Sequence, residues 1–414
     1  MATMLNDLDI DLQTAPVVRG HALLEDFDRL RETEPVFWSD HSHCWILTRH
    51  ADVVDMFQRR LPVTNADRMW AVFRNIPRDQ WEARIPALIK YSQLWITSSE
   101  GPQHTRLRSL LMKALNRRIV ESQRPSARAR ADMLMDLALA KPEIEFNEEI
   151  SRAMTGHVLF GLIGMPVSSY ESLREWATGL MEGVGATNPS PEQLERADRA
   201  LVGMNEAVTA ELDKRRIAPR DDLLTALLNA TEGEDRLSLD EILAQMHTVI
   251  VAGHDTTMNT LTLAVEALSR HPDAWRFMRD NPGKMLDCVN ELQRYVAMSL
   301  GQARLVYEDF EIHGKTIRKG EMLIGMIAGA NRDPAVFADA DRLDMTRDNR
   351  NSMVFAPGVH FCLGHMLAKM QLTEFLSVMV EKASAVEVLD DPLDFMPIWV
   401  FRGFYQLNVR FTPR

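Results

Sequence analysis

A lone cysteine near the end of the chain has the surroundings of a chemically active thiol. Cys362 lies in the run Phe-Ala-Pro-Gly-Val-His-Phe-Cys-Leu-Gly at residues 355–364, which leads into an apolar helical pattern. Glycines let the backbone approach a bound group closely, and the N–H groups at a helix start favour an anion. Because the helix dipole is worth about 2 kcal/mol at most, a bound metal must supply most of the deprotonation of the thiol. We therefore predict that Cys362 is a thiolate ligand of a metal ion.

Two other interpretations of this segment compete with a thiolate ligand. A buried cysteine at a helix start can serve packing alone. A zinc site built from His360, Cys362 and His365 is the other alternative. Structural zinc sites take four protein ligands, and no fourth ligand lies nearby in the sequence. The zinc interpretation is therefore disfavoured.

A second candidate site lies in the middle of a long helical pattern. Residues 252–257 read Ala-Gly-His-Asp-Thr-Thr, and glycine and threonine both have low helix propensity. Taken alone, Thr256 could bond back to an upstream carbonyl while Asp255 faces solvent. An adjacent acid and alcohol can instead carry protons to a reacting group. We expect His254 to contact either a substrate or a neighbouring helix, and we favour the helix.

Glu291 and Arg294 stand three residues apart on one predicted helical face and can form an ion pair. Their apolar neighbours Leu292 and Val296 predict a buried pair. Removing one partner of a buried ion pair costs about 3–5 kcal/mol, far more than at an exposed site. The pair is therefore predicted to be structurally important.

The elements that must position these residues are mostly helices. Ser238 followed by Glu241 is a capping box, and the helical pattern that it opens runs to Pro272, a length on the order of 50 Å. Aromatic and β-branched residues around a polar turn predict a β-hairpin at residues 36–48. The other predicted elements are helices over 51–58, within 102–230 with a break at 185–191, over 286–296 and from Leu363 onward, and strands at 304–306 and 322–327. The pattern predicts a mainly α fold with a smaller β-rich part built from both ends of the chain.

Composition excludes several classes of function. The formal charge of −12 and the absence of a Lys/Arg-rich run disfavour nucleic acid as a partner. The three cysteines are too scattered for a disulfide framework, which indicates a reducing compartment. The first twenty residues have neither a signal-peptide pattern nor an apolar stretch of membrane-spanning length. We therefore expect a cytoplasmic protein with no membrane association.

Taken together, these segments resemble the cytochromes P450 of bacteria. Residues 355–364 are similar to the haem-binding loop of that family, although this chain has Ala356 where the family often has glycine. Residues 252–257 resemble the oxygen-activation stretch, in which a local helix opening makes room for dioxygen. The three main motifs occur in the family's order along nearly the whole chain. The resemblance implies the P450 fold, a triangular prism of helices around haem b, in a single domain over residues 1–414.

The resemblance also implies roles for individual residues. Cys362 would be the iron ligand, Thr256 would organise oxygen and water, and Asp255 would relay protons. Cofactor-binding positions would be His104, Arg108, Ala252, Gly253, Arg304, Phe355, Gly358, His360, Cys362 and Gly364. Among these, Arg108, Arg304, His360 and His104 would hold the haem propionates, although each arginine alone is typical of a protein surface. Glu291 and Arg294 would lock the thiolate side, joined by either Arg342 or Arg347.

The implied activity is that of a haem-thiolate monooxygenase. It would activate O2 with two electrons from an external partner and hydroxylate or epoxidise a small apolar organic substrate. The electrons would come from NAD(P)H through a ferredoxin or flavodoxin and its reductase, and Arg106, Lys113, Arg117, Arg118 and Lys369 would form a basic patch that steers an acidic ferredoxin. Peroxygenase or oxidative-coupling chemistry and a non-enzymatic haem-thiolate sensor are the alternatives. A monomer is expected, and the substrate is not specified.

Overall fold

The structure is a computed structural model that describes residues 10–12, 14–186, 188–232 and 235–414. It forms two compact units. The first contains the chain up to Val63, Ala127–Met154 and Thr256–Arg414. The second contains Thr64–Ser126 and Thr155–Asp255. The single domain inferred from the sequence stays a prediction.

Helices make up most of the described chain, as predicted. The α-helices are α1 (Ala15–Arg19), α2 (Ala22–Thr33), α3 (His50–Phe57), α4 (Arg68–Val72), α5 (Trp81–Arg84), α6 (Pro86–Ser92), α7 (Gly101–Ala114), α8 (Arg117–Glu121), α9 (Arg124–Ala140), α10 (Ala153–Ile163), α11 (Tyr170–Val184), α12 (Pro191–Ile217), α13 (Leu223–Asn229), α14 (Leu239–Arg270), α15 (Pro272–Asp280), α16 (Met285–Val296), α17 (Ile327–Ala330) and α18 (His365–Lys382). A π-helical segment occupies Asn147–Arg152, and short 3-10 turns occupy Phe73–Asn75, Arg78–Gln80, Val167–Ser169 and Pro282–Lys284.

The strands are short, and most of them come from the two ends of the chain, as predicted, whereas those at 144–145, 231–232 and 235–236 lie in between. They are β1 (Val36–Ser39), β2 (Cys44–Leu47), β3 (Val63–Thr64), β4 (Ile144–Glu145), β5 (Thr231–Glu232), β6 (Asp235–Arg236), β7 (Gln302–Val306), β8 (Phe310–Ile312), β9 (Lys315–Ile317), β10 (Met322–Gly325), β11 (Ala383–Val388) and β12 (Asn408–Pro413). The main sheet has the order β1-β2-β10-β7-β3, and a three-stranded sheet has the order β11-β12-β4.

The predicted hairpin forms the outer part of the main sheet in the first unit. β1 and β2 pair antiparallel, with Val36 opposite Leu47. β10 then pairs parallel to β2 and antiparallel to β7, which places Leu323 between Trp45 and Arg304. Ile46, Leu47 and Leu323 are fully buried. Through β10, the sheet thereby connects β7, which carries Arg304, to the hairpin near the start of the chain.

The long helix α14 begins as the sequence predicts. Ser238 Oγ accepts from the backbone N–H of Glu241 at 3.2 Å, and the Glu241 carboxylate accepts from the N–H of Ser238 at 2.8 Å. The capping box satisfies two N–H groups that a helix start would otherwise leave unpaired. Its 32 residues correspond to about 48 Å at about 1.5 Å per residue.

The start of the last long helix differs from the sequence prediction. The helix begins at His365 with Gly364 as its N-cap, so Leu363 precedes it. Residues 68–92 form a run of short helices. Among their aromatic residues, Trp70 stacks on Trp81 at 5.3 Å between ring centroids, and Phe73 meets the Trp81 ring edge-on. These rings pack on one another.

None of the described helices is both long enough and apolar enough to cross a membrane. Cys44 and Cys288 are free thiols in the interior. Burial raises the pKa of Cys44 to about 12 and that of Cys288 to about 11. Both side chains therefore stay protonated at neutral pH.

A buried charged cluster joins three elements of the second unit. The Arg215 side chain on α12 is fully buried, and its Nε donates to the Asp222 carboxylate at 2.8 Å. Its Nη1 donates to the Glu211 carboxylate at 2.5 Å, and its Nη2 donates to the Gly164 carbonyl. Asp222 also caps α13 by accepting from the N–H of Thr225. One guanidinium therefore connects α12, the end of α10 and the start of α13.

We expect Arg215→Ala to destabilise the protein by about 3–5 kcal/mol, because the buried Asp222 carboxylate loses its cation and the buried Glu211 is left with the exposed Lys214. The measurement is urea unfolding followed by circular dichroism. Arg216→Ala is the matched control, since Arg216 is the next residue and pairs with Asp213 at the surface. That exposed pair is worth about 1 kcal/mol or less. Equal destabilisation by the two substitutions would contradict this account.

Candidate active site

The loop that carries Cys362 is closed by backbone hydrogen bonds. The N–H of Cys362 donates to the Phe355 carbonyl at 3.0 Å, and the N–H of Phe361 donates to the Gly358 carbonyl at 3.1 Å. Cys362 itself is half-buried. The turn brings both ends of the loop together, so the cysteine is held by the backbone rather than by one neighbouring side chain.

Two positions of this loop have left-handed backbone conformations. Gly358 has φ +93°, and a Cβ there would lie 2.4 Å from the carbonyl oxygen of Phe57. Only glycine fits that contact. Ala356 has φ +49°, a conformation that costs a residue with a Cβ roughly 1–2 kcal/mol. The glycine that the family often has at this position would adopt it without that cost.

His365 begins α18 and packs back onto the loop. Its Nδ1 is hydrogen-bonded to the Cys362 carbonyl at 2.9 Å, and its ring meets Phe361 edge-on at 4.8 Å. Among the described residues, no group of three or more His, Cys, Asp or Glu side chains is arranged to hold a metal ion. The one thiol of this loop therefore matches a metal carried by a cofactor better than a metal held by protein ligands alone.

The surroundings of Cys362 leave room for a bound group beside the sulfur. A Cβ atom placed at Gly364 would have one described atom within 4 Å, not counting its neighbours in the chain. That atom is the Cys362 Sγ, at 3.9 Å. Val359 and Phe361 of the same loop are exposed, whereas Leu367 and Met370, which follow in α18, are buried. An anion at the sulfur also lies close to the N-terminus of the 18-residue helix α18. These features fit a thiolate that ligates the iron of a haem.

Arg304 lies on β7 in the same unit and is buried with 8% of its surface exposed. Its guanidinium carbon is 5.1 Å from the centroid of the Phe57 ring, and its Nη1 donates to the Ala303 carbonyl at 2.8 Å. Phe57, at the end of α3, therefore contacts both Arg304 and Gly358 of the cysteine loop. Phe57 was not predicted from the sequence, because Arg304 and Gly358 are both far from it along the chain.

His360 is half-buried in the loop of the first unit. His104 and Arg108 belong to the second unit, where they lie one turn apart on α7. His104 is buried and Arg108 is half-buried. Residues four apart share a helical face. The two residues that the resemblance assigns to the haem propionates thus lie on one face of α7.

The second candidate site lies on α14, which is continuous through residues 252–257. The described helix therefore lacks the local opening that the resemblance implied. Thr260 Oγ1 donates to the Thr256 carbonyl at 2.7 Å, one turn earlier on the helix. Asp255 and Thr256 are both half-buried.

Small residues leave one part of this helix uncovered. Ala252 is exposed, although Met258 and Leu261 further along α14 are buried. A Cβ at Gly253 would lie 2.9 Å from a methyl carbon of Leu159 on α10, so glycine is needed for the close approach of the two helices.

His254 contacts a neighbouring helix, which is the favoured one of the two predicted contacts. It is buried, and its Nε2 lies 2.7 Å from the hydroxyl oxygen of Tyr170 on α11. Its Nδ1 lies 2.9 Å from a carboxylate oxygen of Asp255. Asp255 therefore does more than face solvent, because its carboxylate is also hydrogen-bonded to the buried His254.

Glu291 and Arg294 form the predicted buried pair on α16. Both side chains have 0% exposure, and two N–H groups of Arg294 donate to the two carboxylate oxygens at 2.8 Å each. Arg294 also donates to the carbonyls of Asn331, Ala340 and Arg342. It thereby binds α16 to the irregular segment that precedes the cysteine loop.

Arg347 is the third member of this network. Its Nε lies 3.2 Å from the Glu291 carboxylate, and its side chain is 9% exposed. Arg342 supplies its backbone carbonyl to Arg294, while its exposed side chain pairs with Asp339 at 3.7 Å. The side chain that joins the Glu291–Arg294 pair is therefore that of Arg347 and not that of Arg342, which the sequence left open.

Two of the five residues of the basic patch expected from the sequence are paired with carboxylates. Arg106 binds Asp235 at 2.6 Å and Glu241 at 2.5 Å. Arg118 pairs with Asp221 at 3.1 Å. A paired cation contributes little to a long-range positive potential. Electrostatic steering by these arginines is therefore weaker than their number suggests.

We expect Arg294→Ala to lower the free energy of unfolding by about 3–5 kcal/mol, because Glu291 and three carbonyls lose a buried donor. Thermal unfolding of the purified protein is the measurement. Arg342→Ala is the control, since it removes an exposed side chain and keeps the carbonyl that Arg294 uses. A melting temperature of Arg294→Ala equal to that of the control would show that the network is dispensable.

Known proteins are similar to this chain in sequence and in fold. A model of the cytochrome P450 family matches residues 191–281 and 285–398. The mycinamicin IV hydroxylase/epoxidase of Micromonospora griseorubida is 31% identical over 377 residues, which cover 90% of each chain. The linalool 8-monooxygenase of Pseudomonas putida is 27% identical over 94% of this chain and 95% of its own.

A solved structure agrees with these relatives. The cytochrome P450 CYP109Q5 from Chondromyces apiculatus superposes with a TM-score of 0.84 at 25% identity, covering 98% of this chain and 99% of its own. The family model, the length of the matches and the monooxygenase and epoxidase names agree with the cysteine loop and the acid–alcohol pair on α14. The chain therefore belongs to the cytochrome P450 family and is a haem-thiolate monooxygenase.

Proposed function

We propose that Cys362 ligates the haem iron and that this chain oxidises a small apolar organic substrate. The observation that carries the proposal is the cysteine loop, which holds Cys362 before α18 and keeps the Gly364 side of the sulfur open. A thiolate-ligated haem activates dioxygen, because electron donation from sulfur favours cleavage of the O–O bond. The other residues of the site bind, orient and supply protons.

The residues proposed to hold the haem are the predicted ones. Arg304, His360, His104 and Arg108 would bind the propionates, for which arginine offers a planar pair of donors. Gly358 and Gly364 let the loop backbone come close, and Phe355 closes the loop by accepting from the Cys362 N–H. Ala252 and Gly253 would present a small apolar surface to the macrocycle.

Asp255 and Thr256 are proposed as the catalytic pair. A hydroxyl and a carboxylate on successive residues can hold a water and pass it a proton. Both are half-buried on α14, next to the exposed Ala252. The Asp255 carboxylate is oriented by His254, so its protonation state is coupled to a second side chain.

We propose that electrons reach the enzyme from NAD(P)H through a ferredoxin or flavodoxin and its reductase in the cytoplasm. Val359 and Phe361 form an exposed apolar surface on the cysteine loop. Lys369 lies over the Phe355 ring at 5.4 Å in the same unit, and burial lowers its pKa. A short apolar surface with a nearby cation suits a small acidic electron carrier. The buried thiols Cys44 and Cys288 are compatible with a reducing compartment.

The protein reduced with dithionite and exposed to carbon monoxide should show a strongly red-shifted Soret band, and Cys362→Ala should abolish that band. The reason is that the band depends on thiolate ligation. Cys44→Ala is the control, because Cys44 is buried in the main sheet away from the cysteine loop in sequence and should leave the spectrum unchanged. Absence of haem, or an imidazole-like band that survives in Cys362→Ala, would refute the assignment.

A further inference from the structure

Three side chains of the second unit form a continuous hydrogen-bonded chain. The Tyr170 hydroxyl lies 2.7 Å from His254 Nε2, and His254 Nδ1 lies 2.9 Å from Asp255 Oδ1. Tyr170 and Asp255 are half-buried, whereas His254 is buried with 7% exposure. The imidazole therefore joins a phenol on α11 to the proposed catalytic carboxylate on α14.

The protons in this chain have one consistent arrangement when Asp255 is ionised and His254 is neutral. A carboxylate can only accept, so His254 Nδ1 must carry a proton and donate it. A neutral imidazole then has a lone pair at Nε2, which accepts from the Tyr170 O–H. Every donor points along the same direction, from tyrosine through histidine to aspartate. This is the order in which a proton can be passed to Asp255.

The Tyr170 ring is seated by α10. A Cβ at Gly156 would lie 2.5 Å from a ring carbon of Tyr170, so any side chain there would displace the ring. Phe160, one turn further, meets the ring edge-on at 5.2 Å. These contacts hold the ring itself, independently of its hydroxyl. Removal of the hydroxyl alone should therefore leave the ring in place.

The Tyr170 end of this hydrogen-bonded chain lies close to the protein surface. Tyr170 is the first residue of α11 and follows the turn Val167–Ser169, in which Val167 is 79% exposed. Tyr170 is half-buried, so part of this residue is within reach of water. The chain thus runs from a surface turn inward to the helix that carries Asp255 and Thr256.

We propose that Tyr170 and His254 form a relay that returns protons to Asp255 after it has given one up. In one step the Tyr170 O–H bond breaks as the Nε2–H bond forms, while the Nδ1–H bond breaks and the proton moves to the Asp255 carboxylate. Tyr170 then takes a proton from solvent, and the imidazole returns to its starting tautomer by gaining a solvent proton at Nδ1 and releasing the one at Nε2 to solvent. The net change is one proton moved from solvent to Asp255. The inference rests on the proposed role of Asp255, and His254 and Tyr170 are positioning residues that act through it.

The first test observes the hydrogen bonds directly. Nitrogen-15 spectra of histidine-labelled enzyme are recorded on the diamagnetic, reduced carbon monoxide complex, with His254→Gln identifying the His254 signals. We expect a neutral ring with the proton on Nδ1. In Tyr170→Phe the Nε2 signal should move toward that of a nitrogen without a hydrogen bond. Protonation at Nε2 in the wild type, or an unchanged signal in Tyr170→Phe, would overturn the relay.

The second test measures proton transfer. Dioxygen consumption is followed with a saturating plant-type ferredoxin and its NADPH-dependent reductase in mixtures of H2O and D2O. The wild-type rate should depend on the deuterium fraction along a curve, because more than one proton moves in the step. Tyr170→Phe should be slower by about 100-fold, at the low end of what a positioned acid–base group contributes, and its dependence should become linear.

Tyr91→Phe is the matched control for both measurements. It removes a hydroxyl that lies 3.2 Å from Asp240 at the start of the same helix, fifteen residues before Asp255 and so about 22 Å away along it. Both readouts should match the wild type in that variant. A wild type without the thiolate band would overturn the proposed function, whereas a normal band with wild-type kinetics and curvature in Tyr170→Phe would overturn the relay alone.

Discussion

The buried guanidinium of Arg294 is the contact on which the geometry of the cysteine loop depends. The segment from Asn331 to Met353 has almost no regular structure of its own, so its backbone polar groups need partners elsewhere. Arg294 and Arg347 provide donors for five of its carbonyls between them, and Glu291 accepts from the N–H of Asp344. An apolar replacement could not bind this irregular backbone. The network therefore acts as the substitute for secondary structure just before the loop.

The features that sequence predicted well are those set by neighbouring residues. The hairpin of β1 and β2, the capping box of α14 and the Glu291–Arg294 pair each depend on residues three to eleven positions apart. Their side chains face one another whenever the local element forms. The same holds for the position of Cys362, because its turn and the helix after it are adjacent in sequence. The start of α18 was misplaced by two residues, which is the usual uncertainty at a helix end.

The features that sequence missed depend on contacts between distant segments. Phe57 meets Gly358 some three hundred positions later, and Tyr170 meets His254 across 84 positions. Nothing in either local pattern marks the partner. The sequence left the choice between Arg347 and Arg342 open for a related reason. An irregular segment has no period from which the direction of a side chain could be predicted. Ala356 adds strain that composition cannot reveal, because its positive φ follows from the closed loop.

The parallel pairing of β2 with β10 has a consequence for synthesis of the chain. Trp45 lies opposite Leu323, so the inner edge of the hairpin waits for a strand made about 280 residues later. At about 5–20 residues per second, a ribosome needs roughly 15 to 60 seconds to deliver it. During that time the nascent hairpin presents an unpaired, apolar strand edge, which is a template for aggregation. Molecular chaperones that cover such edges on nascent chains should therefore govern the yield of this protein in a cell.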